Sequence, residues 1–220
     1  MKRFAASLFA FMLCLHAYSG KVQLYLGASA GAGFTLSSNQ LKDLQTGTTT
    51  VAKNSNTWSL HMKAEALLGL GRFRFGYRFL YNFTPVNIPG FPYAPTLNPQ
   101  QYTTYFNGSR SNYFAQYGVL EYAIINTKIF ALTPGIGLGS FTGYTVDKVS
   151  NDMVPLSAAT HHRFTMSADL NAEIKIGRWT ILFGPNYYLF SLQDKASANW
   201  HQYQNFIGGD VGFRVNQLKP

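Results

Sequence analysis

The sequence predicts an all-β fold, an eight-stranded antiparallel up-and-down transmembrane β-barrel. Three observations predict it. Apolar and polar residues alternate with a period of two, the signature of a strand whose two faces meet different surroundings. The alternating stretches are long enough for a tilted transmembrane strand, which needs about 9–11 residues, where a typical soluble strand runs about 5–6. The connections between them are short and long by turns, the rhythm of an outer-membrane barrel.

Composition fits this frame. Only 12% of the 220 residues are charged, while 16% are aromatic. About a quarter charged is usual for a soluble domain, and disordered chains are poor in aromatics. Mean hydropathy is near neutral at −0.06, so polar and apolar residues mix at short range.

The first element is a targeting segment. Lys2 and Arg3 precede the apolar run Phe4–Leu15, and Ala17 and Ser19 offer the small residues of a cleavage site. The run is too short to span a membrane. We therefore read 1–19 as a signal peptide and 20–220 as the barrel domain. Cleavage removes Cys14 and leaves no cysteine, which suits an exported chain without disulfides. It also lowers the net charge from +9 to +7. The basic residues are dispersed, so the charge suits lipid and lipopolysaccharide phosphates better than nucleic acid.

Eight alternating segments follow, at about 22–36, 57–70, 72–83, 111–125, 128–145, 161–176, 178–192 and 201–215. In the second, Trp58, Leu60, Met62, Ala64, Ala66, Leu68 and Leu70 share one face, and Ser59, His61, Lys63 and Glu65 the other. In the third, Phe73, Phe75, Tyr77, Phe79, Tyr81 and Phe83 oppose Arg72, Arg74 and Arg78. In the sixth, Phe164, Met166, Ala168, Leu170, Ala172, Ile174 and Ile176 oppose Thr165, Ser167, Asp169, Asn171, Glu173 and Lys175. The last sets Ile207, Val211, Phe213 and Val215 against Asp210 and Arg214. Tight turns are expected near 69–71, at Asn126-Thr127 and at Gly177-Arg178. Long loops are expected at about 37–56, 84–110, 146–160 and 193–200.

A soluble sandwich also alternates, but it keeps charge off its inner face and does not need so many aromatics. In hydrocarbon every backbone N–H and C=O must pair within the protein, so the sheet must close. Closure turns the apolar face to lipid and the polar face into the lumen. The short turns and both termini then lie on the periplasmic side, and the long loops face outward. Trp58 and Trp200 mark the outer interface and Trp179 the inner one, with Phe73, Phe130, Tyr81, Phe83 and Tyr144 extending the two girdles.

In its signal peptide, its eight segments and its short-turn, long-loop rhythm, the chain resembles the small bacterial outer-membrane barrels of the OmpX and OmpA membrane-domain type. The resemblance covers about residues 21–216. It implies an outer-membrane location in a Gram-negative cell, insertion by the barrel-insertion machinery and a monomer. Two departures stand out. Phe213 is followed by "RVNQLKP" where such barrels end on an aromatic residue, and no peptidoglycan-binding domain follows.

Eight strands enclose a space that side chains just fill. Basic inward candidates are Lys63, Arg72, Arg74, Arg78, Lys175, Arg178 and Arg214; acidic ones are Glu65, Glu121, Asp169, Glu173 and Asp210. The first and fifth segments present small inward residues, Gly27, Ser29, Gly31 and Gly33, then Thr133, Gly135, Gly137 and Gly139, which leave room for long neighbours. A lone charge away from water is costly, so these must pair. We expect an ion-pair network centred on Glu65, Arg74, Arg78, Glu173 and Arg214. Such a plug predicts a structural or surface-interaction role; a narrow, porin-like channel or small-ligand transporter is the alternative, and a lipid-modifying enzyme the second.

No His-x-Ser hydrolase pattern occurs, and Ser59 lies before His61 in the reverse order, so no catalytic residues are assigned. His161-His162 point to opposite faces and make a poor chelate; no metal or cofactor is expected. The loop "TPVNIPGFPYAPTLNPQQY" carries Phe91 and Tyr93 between prolines and Tyr102 after the last of them, a candidate surface-contact element.

Overall fold

The structure is a computed structural model that describes residues 22–42, 49–83, 110–146, 153–155, 161–194 and 200–217. The predicted signal segment and the loop aromatics Phe91, Tyr93 and Tyr102 lie outside the described residues, as do the side chains of Trp200, Tyr144 and His161.

Ten β elements follow in order: β1 (Gln23–Lys42), β2 (Thr49–Leu70), β3 (Phe73–Phe83), β4 (Arg110–Tyr122), β5 (Ile125–Asn126), β6 (Phe130–Val146), β7 (Met153–Pro155), β8 (His161–Ile176), β9 (Trp179–Asp194) and β10 (Trp200–Asn216). Eight of them are long. Each long strand pairs antiparallel with its neighbours in sequence, β4 with β6 and β6 with β8, and β1 pairs with β10, so the sheet closes into an eight-stranded barrel. β5 and β7 are short additions to β6.

Two of the tight turns hold two residues each. Leu70 pairs with Phe73 and Ile176 with Trp179, leaving Gly71-Arg72 and Gly177-Arg178 as the connections. Gly71 and Gly177 have φ of 61° and 60°, the left-handed conformation that hairpin turns of this length require and that glycine adopts without strain. The third connection departs from expectation. β4 stops at Tyr122, the ladder shifts by one residue around Ala123-Ile124, and β5 then pairs Ile125 with Leu132 and Asn126 with Ala131. This is a bulge at a barrel rim, a usual place for one.

The expected loop at 37–56 is mostly strand. β1 and β2 continue pairing to Lys42 and Thr49. β2 runs on through 49–59 beyond Leu60, its last residue paired with β3, which is about 36 Å at about 3.3 Å per residue. The stretch from Ser37 to Asn56 is polar at nearly every position. A strand that leaves the hydrocarbon has no face to keep apolar, so the period of two disappears while the hydrogen-bonded ladder continues. β7 lies inside the stretch expected as the loop 146–160, where it pairs with the tip of β6.

The outer surface is apolar along the strands. Leu60, Met62, Tyr77, Phe79, Ile136, Leu138, Ile174, Ile181, Ile207 and Val211 are all exposed on it. In a soluble protein so large an exposed apolar surface would drive association; around a closed barrel it is the lipid-facing band. Phe73 and Trp179 open β3 and β9, and Trp58 lies two residues beyond the end of the β2–β3 pairing; Trp58 stands against Phe34 at 4.0 Å, Phe73 against Tyr122 at 4.8 Å and Trp179 against Phe213 at 6.1 Å between ring centroids.

Candidate functional site: a layered lumen

The inward face carries two layers of different chemistry. The one nearer the tight turns is ionic. β3 contributes Arg74 and Arg78, β10 Arg214, β2 Glu65, β4 Glu121, and β8 Asp169 and Glu173; all seven are buried. Arg78 donates from Nε to Glu65 (3.0 Å), from Nη2 to Glu121 (3.0 Å) and from Nη1 to Asp169 (2.5 Å). Arg214 donates to Glu121 (2.5 Å), to Glu173 (3.2 Å) and, through Nε, to Glu65. Arg74 grips Glu173 with both terminal nitrogens, one at 2.9 Å, and reaches Glu121 at 3.5 Å. It lies over the Tyr25 ring, 4.8 Å from its centroid.

Register explains why these groups meet. Glu65 is directly opposite Arg78, and Arg74 opposite Glu121, on neighbouring strands. Other partners sit one strand apart with a glycine between them. Gly27 pairs with Glu65 on one side and Arg214 on the other. Gly31 stands likewise between His61 and Asp210, and Gly135 between Glu121 and Asp169, two acids that both accept from Arg78. A Cβ on Gly27 would lie 2.8 Å from Arg214 Cγ and 3.1 Å from Glu65 Oε1. The side chains from both flanks occupy the space over the glycine.

Lys63 and His61 form a step above this layer. Lys63 pairs with Asp210; His61 Nε2 is 3.7 Å from the same carboxylate and 3.3 Å from Asn186 Nδ2. His61 also packs edge-on against Phe206 at 5.0 Å and Tyr188 at 5.5 Å, which begins the second layer. Tyr113, Phe141 and Phe190 form a triangle with centroids 5.1–5.5 Å apart. Tyr117 bonds Thr165 at 2.8 Å. Leu80 and Leu192 complete a buried cluster nearer the long-loop ends of the strands.

The structure brings together all five residues expected at the centre of the network, Glu65, Arg74, Arg78, Glu173 and Arg214. It adds Glu121, which touches all three arginines, and Asp169. It places three basic candidates at the tight-turn rim and not in the network. Arg72 and Arg178 occupy the two-residue turns and are exposed, and Lys175 bonds Asn126 and the Thr127 carbonyl (2.9 Å) at the rim. These positions follow a charge-bearing strand's parity but lie beyond its last inward pair, where a side chain can reach water. So two of the three arginines near the third segment's start face inward. Glu65 pairs with Arg78, while Arg74 takes Glu173 instead.

The aromatic layer was not foreseen. Its signal was present: Tyr113 and Tyr117 share parity with Glu121, Phe206 with Asp210, and Phe141 with Gly135. Ser59 and His61 both point inward; Ser59 pairs with Thr35, and His61 with Asp210 and Asn186.

No protein-family model matches the chain, and no curated protein matches it in sequence. Solved structures do match. Neisserial surface protein A aligns over 89% of this chain and 98% of its own, at 9% identity and a TM-score of 0.52. The chain has the fold of a small outer-membrane barrel. The outer membrane protease OmpT of Escherichia coli (7% identity, 88% and 96% coverage, TM-score 0.48) and the outer membrane protein OprG of Pseudomonas aeruginosa (10%, 90% and 96%, 0.45) align less well. At these identities the likeness is one of architecture, and this outer-membrane-type barrel must be interpreted from its own lumen and rims.

Proposed function

We propose that this chain is a non-conducting outer-membrane barrel whose lumen is a structural plug and whose working surface is its long-loop side. One observation carries the reading. Arg78 and Arg214 are 0% and 1% exposed and tie β2, β4, β8 and β10 together across the barrel interior. Buried guanidiniums held by several carboxylates leave no free charge to guide an ion, and the aromatic layer adds a second obstruction. The β1–β2 wall beyond the membrane band supports a surface-interaction role, with termini on the periplasmic side and loops outside. The engagement of Ser59 by Thr35 and of His61 by Asp210, both away from lipid, supports a non-catalytic reading.

Single-channel recording in planar bilayers tests the plug. Silence from the wild type, with or without an Arg78→Ala change, is the expected result, and discrete conductance from the wild type would overturn it. Deleting Pro89 to Pro99 and measuring adhesion of whole cells tests the surface role; the expected result is reduced adhesion, and unchanged adhesion counts against that loop as the contact.

A further inference from the structure

The tight-turn mouth of the barrel holds a cavity of about 230 Å³ that opens between the turns. Its floor is the Arg74 guanidinium over Tyr25, and Lys128, Lys175 and Arg178 line its wall. No Asp or Glu lines it among the described residues. The carboxylates that balance Arg74 belong to the layer beneath. Lys175 bonds the Asn126 side chain and the Thr127 carbonyl on the same wall. Lys128 and Arg178 are exposed, and the Arg178 guanidinium also lies over the Trp179 ring, 5.9 Å from its centroid. Four cationic side chains therefore converge on one small polar recess, while five carboxylates are spent deeper in the lumen.

From this geometry we propose that the mouth is a binding site for a phosphate group, carried by a glycerophosphate-type headgroup or by a free phosphorylated small molecule. A phosphate presents several acceptor oxygens at close quarters and is best held by converging charge-assisted donors. Lysine and arginine together supply both point charge and a planar fork. A recess of this size has room for a headgroup. Height favours the same ligand. Trp179 and Phe73 are exposed on the outer wall beside the same turns, where aromatic girdles mark the membrane interface and lipid phosphates lie. The two-residue turns keep the rim low, so a headgroup from the adjoining leaflet reaches over it.

The test uses the full refolded chain in a non-ionic, phosphate-free detergent. Calorimetric titration with glycerol 3-phosphate measures the free ligand. Native mass spectrometry after incubation with phosphatidylglycerol or phosphatidylcholine vesicles measures retained lipid. The double variant Lys128→Gln/Arg178→Gln alters only exposed side chains, and heat-modifiable gel migration checks that it still folds. Saturable glycerol 3-phosphate binding, weakened at least tenfold in the double variant and unchanged in Arg163→Gln at the far end of β8, supports the site with a soluble ligand. Retained phosphatidylglycerol that is lost in the double variant supports it with a lipid headgroup. Equal displacement by chloride at matched ionic strength, no loss in the double variant, or no binding in either arm would overturn it.

Discussion

The two halves of the lumen fill the same barrel by opposite means. Toward the tight turns, three arginines and four carboxylates occupy the interior, each guanidinium held by at least two acids. Toward the long loops, Tyr113, Phe141, Phe190, Tyr188 and Phe206 occupy it by bulk. Charges away from water demand named partners, so the ionic half is specific and intolerant. Aromatic rings need only volume and reasonable ring angles, so the other half is interchangeable by comparison. Glycines on β1 and β6 make the first solution possible, because two long side chains from flanking strands cannot meet over a third.

This contrast can be broken at several points. Arg78→Ala gives the largest effect. It strips a partner from Glu65, Glu121 and Asp169 at once, and losing one side of a buried pair costs about 3–5 kcal/mol. Urea unfolding of protein refolded into vesicles, read by gel migration, measures the loss. Phe190→Ala in the aromatic half costs about 3 kcal/mol, at the low end for a buried aromatic, since Tyr113 and Phe141 can move inward. A double change, Arg78→Ala with Glu121→Ala, separates the halves further: we expect it to recover part of the Arg78→Ala loss, whereas Phe190→Ala with Phe141→Ala compounds. Gly27→Ala costs about 1–3 kcal/mol by crowding Arg214 and Glu65, while Gly118→Ala, whose new Cβ meets nothing nearer than 3.9 Å, stays within about 0.5 kcal/mol. The smallest effect is expected at Asn82. It is buried, and neither of its amide atoms has a partner among the described residues. Asn82→Leu should be neutral or stabilising by about 1 kcal/mol, because a buried polar group without a bond is costly to keep. A clear loss of stability there would show that the upper lumen is polar by requirement.

Legibility in the sequence followed the same division. Charge in the middle of a strand has one place to go when the other face meets lipid, so Glu65, Arg78 and Arg214 could be assigned inward by parity alone. Aromatics carry no such mark. Tyr117 and Tyr77 are the same residue type, yet one is in the lumen and the other faces lipid, and only counting from Glu121 or Arg78 tells them apart. Parity also has an end that the sequence does not announce: Arg72 and Arg178 follow the inward rule one step past the last enclosed position. Beyond the hydrocarbon, at 37–42 and 49–56, the pattern that identifies strands is absent although the strands are present. The partner choices inside the network were legible only in part. Neighbouring-strand pairs such as Glu65 and Arg78 follow from register, but the reach of Arg74 to Glu173 crosses the lumen and depends on the curvature of the closed sheet.

Arg214 sits on the final strand. Before β10 docks between β1 and β9, Glu65, Glu121, Asp169 and Glu173 face only Arg74 and Arg78, and Lys63 lacks Asp210. The last strand thus brings one cation and one anion, Arg214 to the acids of β2, β4 and β8 and Asp210 to Lys63, in the same movement that seals the seam. Closure and the completion of the ion pairs are one event, so a chain truncated before residue 200 leaves Lys63 and the acids of the network short of partners as well as the barrel without its hydrogen-bonding edge.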